Sequence, residues 1–415
     1  MEPAKTKRNT VCIVGLGYVG YPLAEAFSHH TRTIGFDIDT LKIDRVRKSG
    51  TLIEATSDPR MIRQADFILI CVPTPISRTK EPDLSFIRSA AAVVGQNLKE
   101  GAIVVLESTV VPGTTEEVVR PILERESGMA CGTGFKIGYS PERINPGDDE
   151  HVLSRTIKIV AGMDEESTVR LTALYSMITK VHAAPDIRTA ETTKVVENIQ
   201  RDVNIALMNE IAMILQRMKI STRDVLECAS TKWNFHPYQP GIVGGHCIPV
   251  VPYFLVHTAR KAGYSPDLIL AGRRINESVP VYLAERTVDA LVKTGRSLKE
   301  SRVLFYGLTY KENVPDMRDN PLVEFVGFLA ARGVSVFGAD PLLSESEIRQ
   351  FGLVPFDKER DVVDCIVIAA PHDAIRNTDA GEFMQISNKN PVMVDIKGLF
   401  ERNDRIRRHF TYLTL

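Results

Sequence analysis

Residues 11–37 read VCIVGLGYVGYPLAEAFSHHTRTIGFD, and this stretch decides the fold. The apolar run Val11–Val14 leads straight into Gly15, Gly17 and Gly20 in the spacing G-x-G-x-x-G, then a helical pattern, then a second apolar run closed by Asp37. Each part has a task in holding a dinucleotide. The first glycine allows a tight turn, the second lets backbone approach a pyrophosphate, and the third lets helix pack on strand, while the helix N-terminus meets the negative charge. Asp37 can accept hydrogen bonds from both ribose hydroxyls and would repel a 2′-phosphate, so NAD is expected rather than NADP. Glycines that serve only a turn, and a site for FAD, are the competing readings. Strand, fingerprint, helix, strand and acid in the correct order argue against the first.

Outward from this unit, short β-branched runs alternate with amphipathic stretches, which is the rhythm of a parallel sheet covered by helices. Strands are expected at VCIVG, RTIGFD, FILICV, AIVVLES and FKIGYS within the first 150 residues or so. From about Pro185 to Ile220 apolar residues recur at three and four, predicting one long helix, too long for a simple crossover. It reads as a spine joining domains and subunits, so a homodimer or higher homo-oligomer is expected. The Pro- and Gly-rich segment TKWNFHPYQPGIVGGHCIPVVPYFL and two helical stretches to about Thr294 come next. The rhythm then restarts at RVLFYGL, VSVFGAD, DCIVIAA and PVMVDIKG. The fold class is thus α/β, with two Rossmann-like doubly wound parallel sheets joined by a long helix and a helical middle part. The boundaries fall at 1–185, 186–295 and 296–415.

Composition agrees with a large globular enzyme. Of 415 residues, 44% are apolar and 25% charged, and no run of about 18 apolar residues suggests a membrane span. MEPAKTKRNT lacks the apolar stretch of a secretory signal, so a cytoplasmic protein is expected. Lys plus Arg, 51, nearly cancels Asp plus Glu, 52, which gives no global field toward nucleic acid or anionic lipid. Six cysteines stand singly, a pattern that argues against a disulfide framework and a zinc site.

Cys12, Cys71 and Cys365 lie in apolar strands and read as core. Cys247 lies in GIVGGHCIP, where Gly244 and Gly245 leave a thiol approachable, as a nucleophile requires. His246 could raise its thiolate fraction, but neighbouring side chains on an extended loop point apart, so a structural role is preferred. Lys194 and Asn198 are four apart on one helix face. A solvated face is the usual reading of such a pair; a cation and an amide holding a reacting oxygen is the competing one. Glu142, in Ser140-Pro141-Glu142-Arg143, follows a strand at the carboxyl edge of the sheet, where ligands bind in such folds, and is a candidate acid or base.

The motifs GLGYVGYPLA, CVPTP (71–75), ESTVVPGTT (107–115), YSPERINPGD (139–148), KVVENIQRDVNIALMNE (194–210), GGHCIP (244–249) and GLTYKENVPDMRDNP (307–321) together resemble the UDP-glucose/GDP-mannose dehydrogenase family, from about Val11 to about Phe400. The resemblance implies an NAD domain, a helical middle and a UDP-binding domain, with a four-electron oxidation that uses two NAD+ in succession. It implies that Cys247 adds to an intermediate aldehyde, that Lys194 and Asn198 stabilise oxyanions, that Glu142 relays protons through water, and that Thr109 helps to place it. For the cofactor it implies contacts from Gly15, Gly17, Tyr18, Val19, Gly20, Asp37, Thr74 and Arg318. For the substrate it implies Glu142, Arg143, Lys194, Asn198, Tyr238, Gly244 and Lys311.

One departure stands out. Four residues after its cysteine the family ordinarily carries an aspartate, and this chain has Val251, which cannot hold a hydrolytic water. The stretch TKWNFHPYQPG resembles the branch acting on UDP-N-acetylhexosamines, near enzymes of Vi-type capsule synthesis. UDP-N-acetylglucosamine is the first expectation, with UDP-N-acetylgalactosamine and UDP-N-acetylmannosamine behind it. Two other classes compete with a working dehydrogenase: a UDP-sugar and NAD binding protein impaired by Val251, and a smaller β-hydroxyacid dehydrogenase relative. The last would need neither Cys247 nor a second α/β domain.

Overall fold

In the computed structural model, which describes residues 9–77, 79–144, 152–245 and 247–415, contacts divide the chain into two units. The first comprises Met1–Asn198 and Val250–Ser265, the second Ile199–Pro249 and Pro266–Leu415.

The strands of the first unit are β1 (Thr10–Val14), β2 (Arg32–Phe36), β3 (Glu54–Thr56), β4 (Phe67–Ile70), β5 (Ile103–Leu106), β6 (Lys136–Tyr139), β7 (Lys158–Gly162) and β8 (Val181–Ala183). They form one sheet in the order β3-β2-β1-β4-β5-β6-β7-β8. Every neighbouring pair is parallel except β6 with β7. The five strands expected from sequence are all present; β3, β7 and β8 are additions. Helices cover both faces, so strand residues of either parity are buried and the strands read as unbroken apolar runs. Cys12, Ile34, Ile68 and Val104 belong to one core layer, whereas Val11, Ile13, Leu69 and Val105 belong to the other. In the second layer Phe27 meets Tyr175 edge to face at 5.6 Å.

The second unit repeats the plan with β9 (Arg302–Tyr306), β10 (Ser335–Ala339), β11 (Val354–Pro355), β12 (Val363–Ile368), β13 (Ser387–Asp395) and β14 (Thr411–Leu413). Their order is β11-β10-β9-β12-β13-β14, all parallel. In both sheets the order reverses beside the first strand, between β1 and β4 and between β9 and β12, and this is where a doubly wound sheet opens a crevice for ligands.

The long helix is Ile187–Arg217, two residues inside the expected start and three inside the expected end, and the later helices are Pro252–Lys261 and Asp267–Lys293. A short helix, Thr222–Ala229, was not expected. Among the described residues no helix is long and apolar enough to cross a membrane.

Candidate active site

The fingerprint glycines can be tested by asking what a Cβ would meet. At Gly15, with φ +98°, it would lie 2.6 Å from the carbonyl oxygen of Cys71, and at Gly20 1.8 Å from that of Gly15. At Gly17 nothing lies within 4 Å. Two glycines are therefore demanded by close packing, and the middle one leaves an open approach to the backbone, as a pyrophosphate requires. The helix Gly20–Ser28 has no side-chain cap, since Val19 precedes it, and its first amides face the turn. Tyr18 is half exposed beside them. Asp37 is buried; its carboxylate accepts from the amides of Leu16 (2.8 Å) and Asp39 (2.9 Å) and lies 3.3 Å from Lys42 Nζ. These residues fit NAD.

The segments that follow β4 and β5 are tied to each other at the carboxyl edge. Ser108 Oγ donates to the Val72 carbonyl at 2.6 Å and accepts from the Val72 amide, while Thr74 Oγ1 donates to the Thr109 carbonyl at 2.6 Å. Thr74 and Thr109 thus sit side by side at the carboxyl edge.

Glu142 stands on a buried charge cluster that sequence reasoning missed. Its Oε1 accepts from the amides of Arg143 (2.6 Å) and Ile144 (2.7 Å), and its Oε2 lies 3.3 Å from Lys158 Nζ. Lys158 also donates to Glu107 Oε2 at 2.5 Å and to the Pro141 carbonyl at 3.1 Å, and the Tyr175 hydroxyl donates to the other oxygen of Glu107. Burial alone would push the Lys158 ammonium down; the carboxylates of Glu107 and Glu142 outweigh it and hold it above the ordinary lysine value. Arg143 turns to Glu197 on the long helix, at 2.7 Å. Lys158 shows in the sequence as a lysine inside the apolar run TIKIVAG, which reads equally well as an outward-facing polar residue.

On that helix Asn198 is buried and its amide nitrogen donates to the Lys194 carbonyl one turn earlier, at 3.0 Å. One of its two N–H groups is thus spent on the helix. Lys194 is half-buried on the same face.

In the second unit Cys247 is exposed, whereas Cys12, Cys71 and Cys365 are buried as expected, with burial pushing the Cys12 thiol up to about 12. His246 lies outside the described residues, as do residues 145–148 of the YSPERINPGD motif. The glycines before Cys247 also meet a packing demand that the sequence did not disclose. A Cβ on Gly244 would lie 2.9 Å from Pro321 Cδ, and one on Gly245, with φ +85°, 2.7 Å from the Tyr310 ring. The Gly245 amide donates to the Asp319 carbonyl at 3.1 Å. Close packing on segment 310–321 is a further demand on these glycines, beside the exposure of Cys247. That segment carries Lys311 and Arg318, the latter in a fork on Asp316 at 2.7 Å. Asn209 pins the start of the loop, taking the Gly241 amide at 2.7 Å and donating to its carbonyl at 3.1 Å. Tyr238 donates to Gln200 at 2.8 Å.

The chain matches three models of the UDP-glucose/GDP-mannose dehydrogenase family: the NAD binding domain over residues 45–179, the central domain over 188–278 and the UDP binding domain over 304–402. A UDP-N-acetyl-D-glucosamine 6-dehydrogenase of Pseudomonas aeruginosa is 40% identical over 95% of this chain and 97% of its own length. One of Salmonella typhi is 39% identical over 93% and 95%. Among solved structures, a UDP-D-ManNAc dehydrogenase from Pyrococcus horikoshii superposes with a TM-score of 0.87 at 28% identity, covering 98% of each chain.

Proposed function

We propose, for a chain that belongs to the UDP-glucose/GDP-mannose dehydrogenase family and is an NAD-dependent oxidoreductase, that it oxidises the C6 hydroxyl of UDP-N-acetylglucosamine to the carboxylate through a covalent bond to Cys247. Similarity to two UDP-N-acetyl-D-glucosamine 6-dehydrogenases along nearly the whole chain carries the choice of sugar. UDP-N-acetylgalactosamine and UDP-N-acetylmannosamine, one stereocentre away, are the alternative substrates.

Gly15, Gly17, Gly20 and Asp37 would hold NAD+, which would supply a hydride acceptor for each of two successive oxidations. Glu142 takes the C6 hydroxyl proton through a water, with Thr109 helping to place it, and loss of hydride leaves an aldehyde. The Cys247 thiolate adds to the aldehyde carbon, giving a thiohemiacetal whose oxygen is held by Lys194 and Asn198. Loss of the second hydride leaves a thioester; water cleaves it, releasing the acid and returning the thiol. Lys311, with Tyr238, Gly244 and Arg143, holds the UDP-sugar, and Thr74, Tyr18 and Arg318 contact the cofactor. Residues 1–185 serve as the NAD part, 186–295 as the dimerisation and cysteine part, and 296–415 as the UDP part. Val196, Leu207 and Ile214, each about half exposed on one face of the helix Ile187–Arg217, are the surface on which a second copy packs.

Purified protein with NAD+ and a panel of UDP-sugars, followed by NADH formation and product mass, tests the reading. Absence of NADH with every sugar defeats it. Cys247→Ser should abolish steady turnover and leave NAD+ and UDP-sugar binding within a few-fold, because a serine hydroxyl is far less ionised than a thiol. Undiminished turnover would remove Cys247 from the mechanism. A second reading rests on Val251, which is buried at the head of the helix Pro252–Lys261 and has no polar atom on its side chain to hold a water: acyl-enzyme then forms faster than it clears. A stoichiometric NADH burst with a mass adduct absent from Cys247→Ser would identify that behaviour.

A further inference from the structure

The lysine that touches Glu142 lies where sheet topology, rather than any motif, puts it. Strands β5 and β6 run parallel, so Glu107 and Glu142 both follow strand ends at the carboxyl edge. Strand β7 runs antiparallel to β6, with Tyr139 opposite Ala161. Continuing that register by three residues brings Lys158, the first residue of β7, opposite Glu142 at the same edge. An antiparallel strand therefore delivers its first side chain to the ligand side of an otherwise parallel sheet.

An ammonium has three donors, and here they go to Glu107, the Pro141 carbonyl and Glu142. The first contact anchors Lys158 and the second fixes the turn that carries Glu142. The third reaches the carboxylate itself. Glu107 and Lys158 side chains are 0% and 2% exposed, whereas Glu142 is 11% exposed, so Glu142 alone of the three presents an edge to solvent. A buried ion pair is a poor source of stability, because desolvation offsets its attraction. Its persistence beneath a reactive carboxylate calls for a different account.

We infer that Lys158, anchored by Glu107, is the positioning residue for Glu142: it holds the carboxylate's second oxygen and its negative charge in place for proton transfer. This rests on the role proposed for Glu142 above. Among the described residues, the charged and titratable groups beside Glu142 are Lys158 from β7, Glu107 after β5 and Cys71 after β4, while the Arg143 guanidinium is paired with Glu197. Tyr175 faces Glu107. Of these, Lys158 is the cation in contact with Glu142 Oε2, and Glu107 competes with Glu142 for it.

Glu107→Gln/Lys158→Met removes both charges together and leaves no buried ion alone, a hazard that Lys158→Met by itself would carry. Glu107→Gln alone keeps Lys158 beside Glu142. Infrared difference spectra taken against the matching Glu142→Gln protein isolate the Glu142 carboxylate and need no turnover: its band should shift and broaden in the double variant and stay near its wild-type position in Glu107→Gln. kcat should fall about tenfold or more in the double variant, part of what a positioned general base contributes, and fall less in Glu107→Gln, with KM for NAD+ unchanged in both. A band and a kcat that stay put in the double variant, or that change equally in both variants, overturn the inference. Lack of wild-type turnover would defeat the proposed activity while the infrared band still decides the role of Lys158.

Discussion

Asp37 shows how one carboxylate can serve loop and ligand together. Its two oxygens accept from the amides of Leu16 and Asp39, which orients the group and leaves further lone pairs for ribose hydroxyls. Asp37→Ala should weaken NAD+ binding by about 1–3 kcal/mol, the scale of lost hydrogen bonds to a charged acceptor, and narrow the preference over NADP+. Calorimetry with both cofactors reads the change, and an unaltered affinity would mean that the carboxylate does not touch the cofactor. The residue reading of Cys247 agrees with its exposure, and its glycines answer also to Tyr310 and Pro321. Residue types in a row disclose a tight turn; they do not disclose which distant side chain makes it tight.

At the scale of elements, the helix Glu165–Tyr175 links surface electrostatics to the buried cluster, because it delivers Tyr175 to Glu107. Asp164 caps it, accepting from the Ser167 amide at 2.8 Å in a capping box. The Lys136 ammonium, with the Ser167 amide, holds the Asp164 carboxyl at about 2, below its ordinary 3.8. A depressed folded-state value stabilises the fold above the ordinary value, and the benefit drains as pH falls through the window from 3.8 toward about 2. Asp164→Asn should therefore lower Tm near pH 6, and the gap from wild type should narrow as the pH falls through that window. A gap of equal size at both ends, by calorimetry, would show that the charge contributes nothing. With β3 and β8, strand β7 is among the elements that sequence reading passed over. Its lysine broke the apolar run, and its antiparallel pairing has no local signature, because orientation is set by the partner strand.

The whole molecule contains the same nucleotide plan twice. Gly307 donates to the Ala339 carbonyl at 2.9 Å as Gly15 does to Phe36 at 2.8 Å, and Asp340 accepts from the Leu308 amide as Asp37 does from Leu16. The second copy reads GLTYKE where the first reads GLGYVG. Thr309, buried, stands at the position of the open Gly17, and Asp340 is engaged by His372 at 3.0 Å. Turn and acid are kept while the opening for a pyrophosphate is closed, consistent with a UDP binding domain rather than a second dinucleotide site. Lys311 follows that altered turn. Lys311→Ala should weaken UDP binding about tenfold or more, as expected for a lost hydrogen bond to a charged group, and leave NAD+ affinity unchanged. Parallel titrations with UDP and NAD+ separate the two effects, and equal losses for both ligands would contradict the assignment.

Local pattern determined a good deal of this protein. The spacing of Gly15, Gly17 and Gly20, the period of the helix Ile187–Arg217 and the unbroken apolar runs of two sheets are all written in consecutive residues, because turns, helices and doubly buried strands each impose a short-range rule. Tertiary structure alone decided the rest. Glu107, Glu142, Lys158 and Tyr175 come from four separate elements, and what assembles them is strand order and the reversed direction of β7. Their meeting depends on which strands pair and in which register, a long-range outcome that no window of sequence contains. A lysine in TIKIVAG is polar surface by composition, and only the carboxylates placed beside it from elsewhere in the chain make it part of a buried cluster under Glu142.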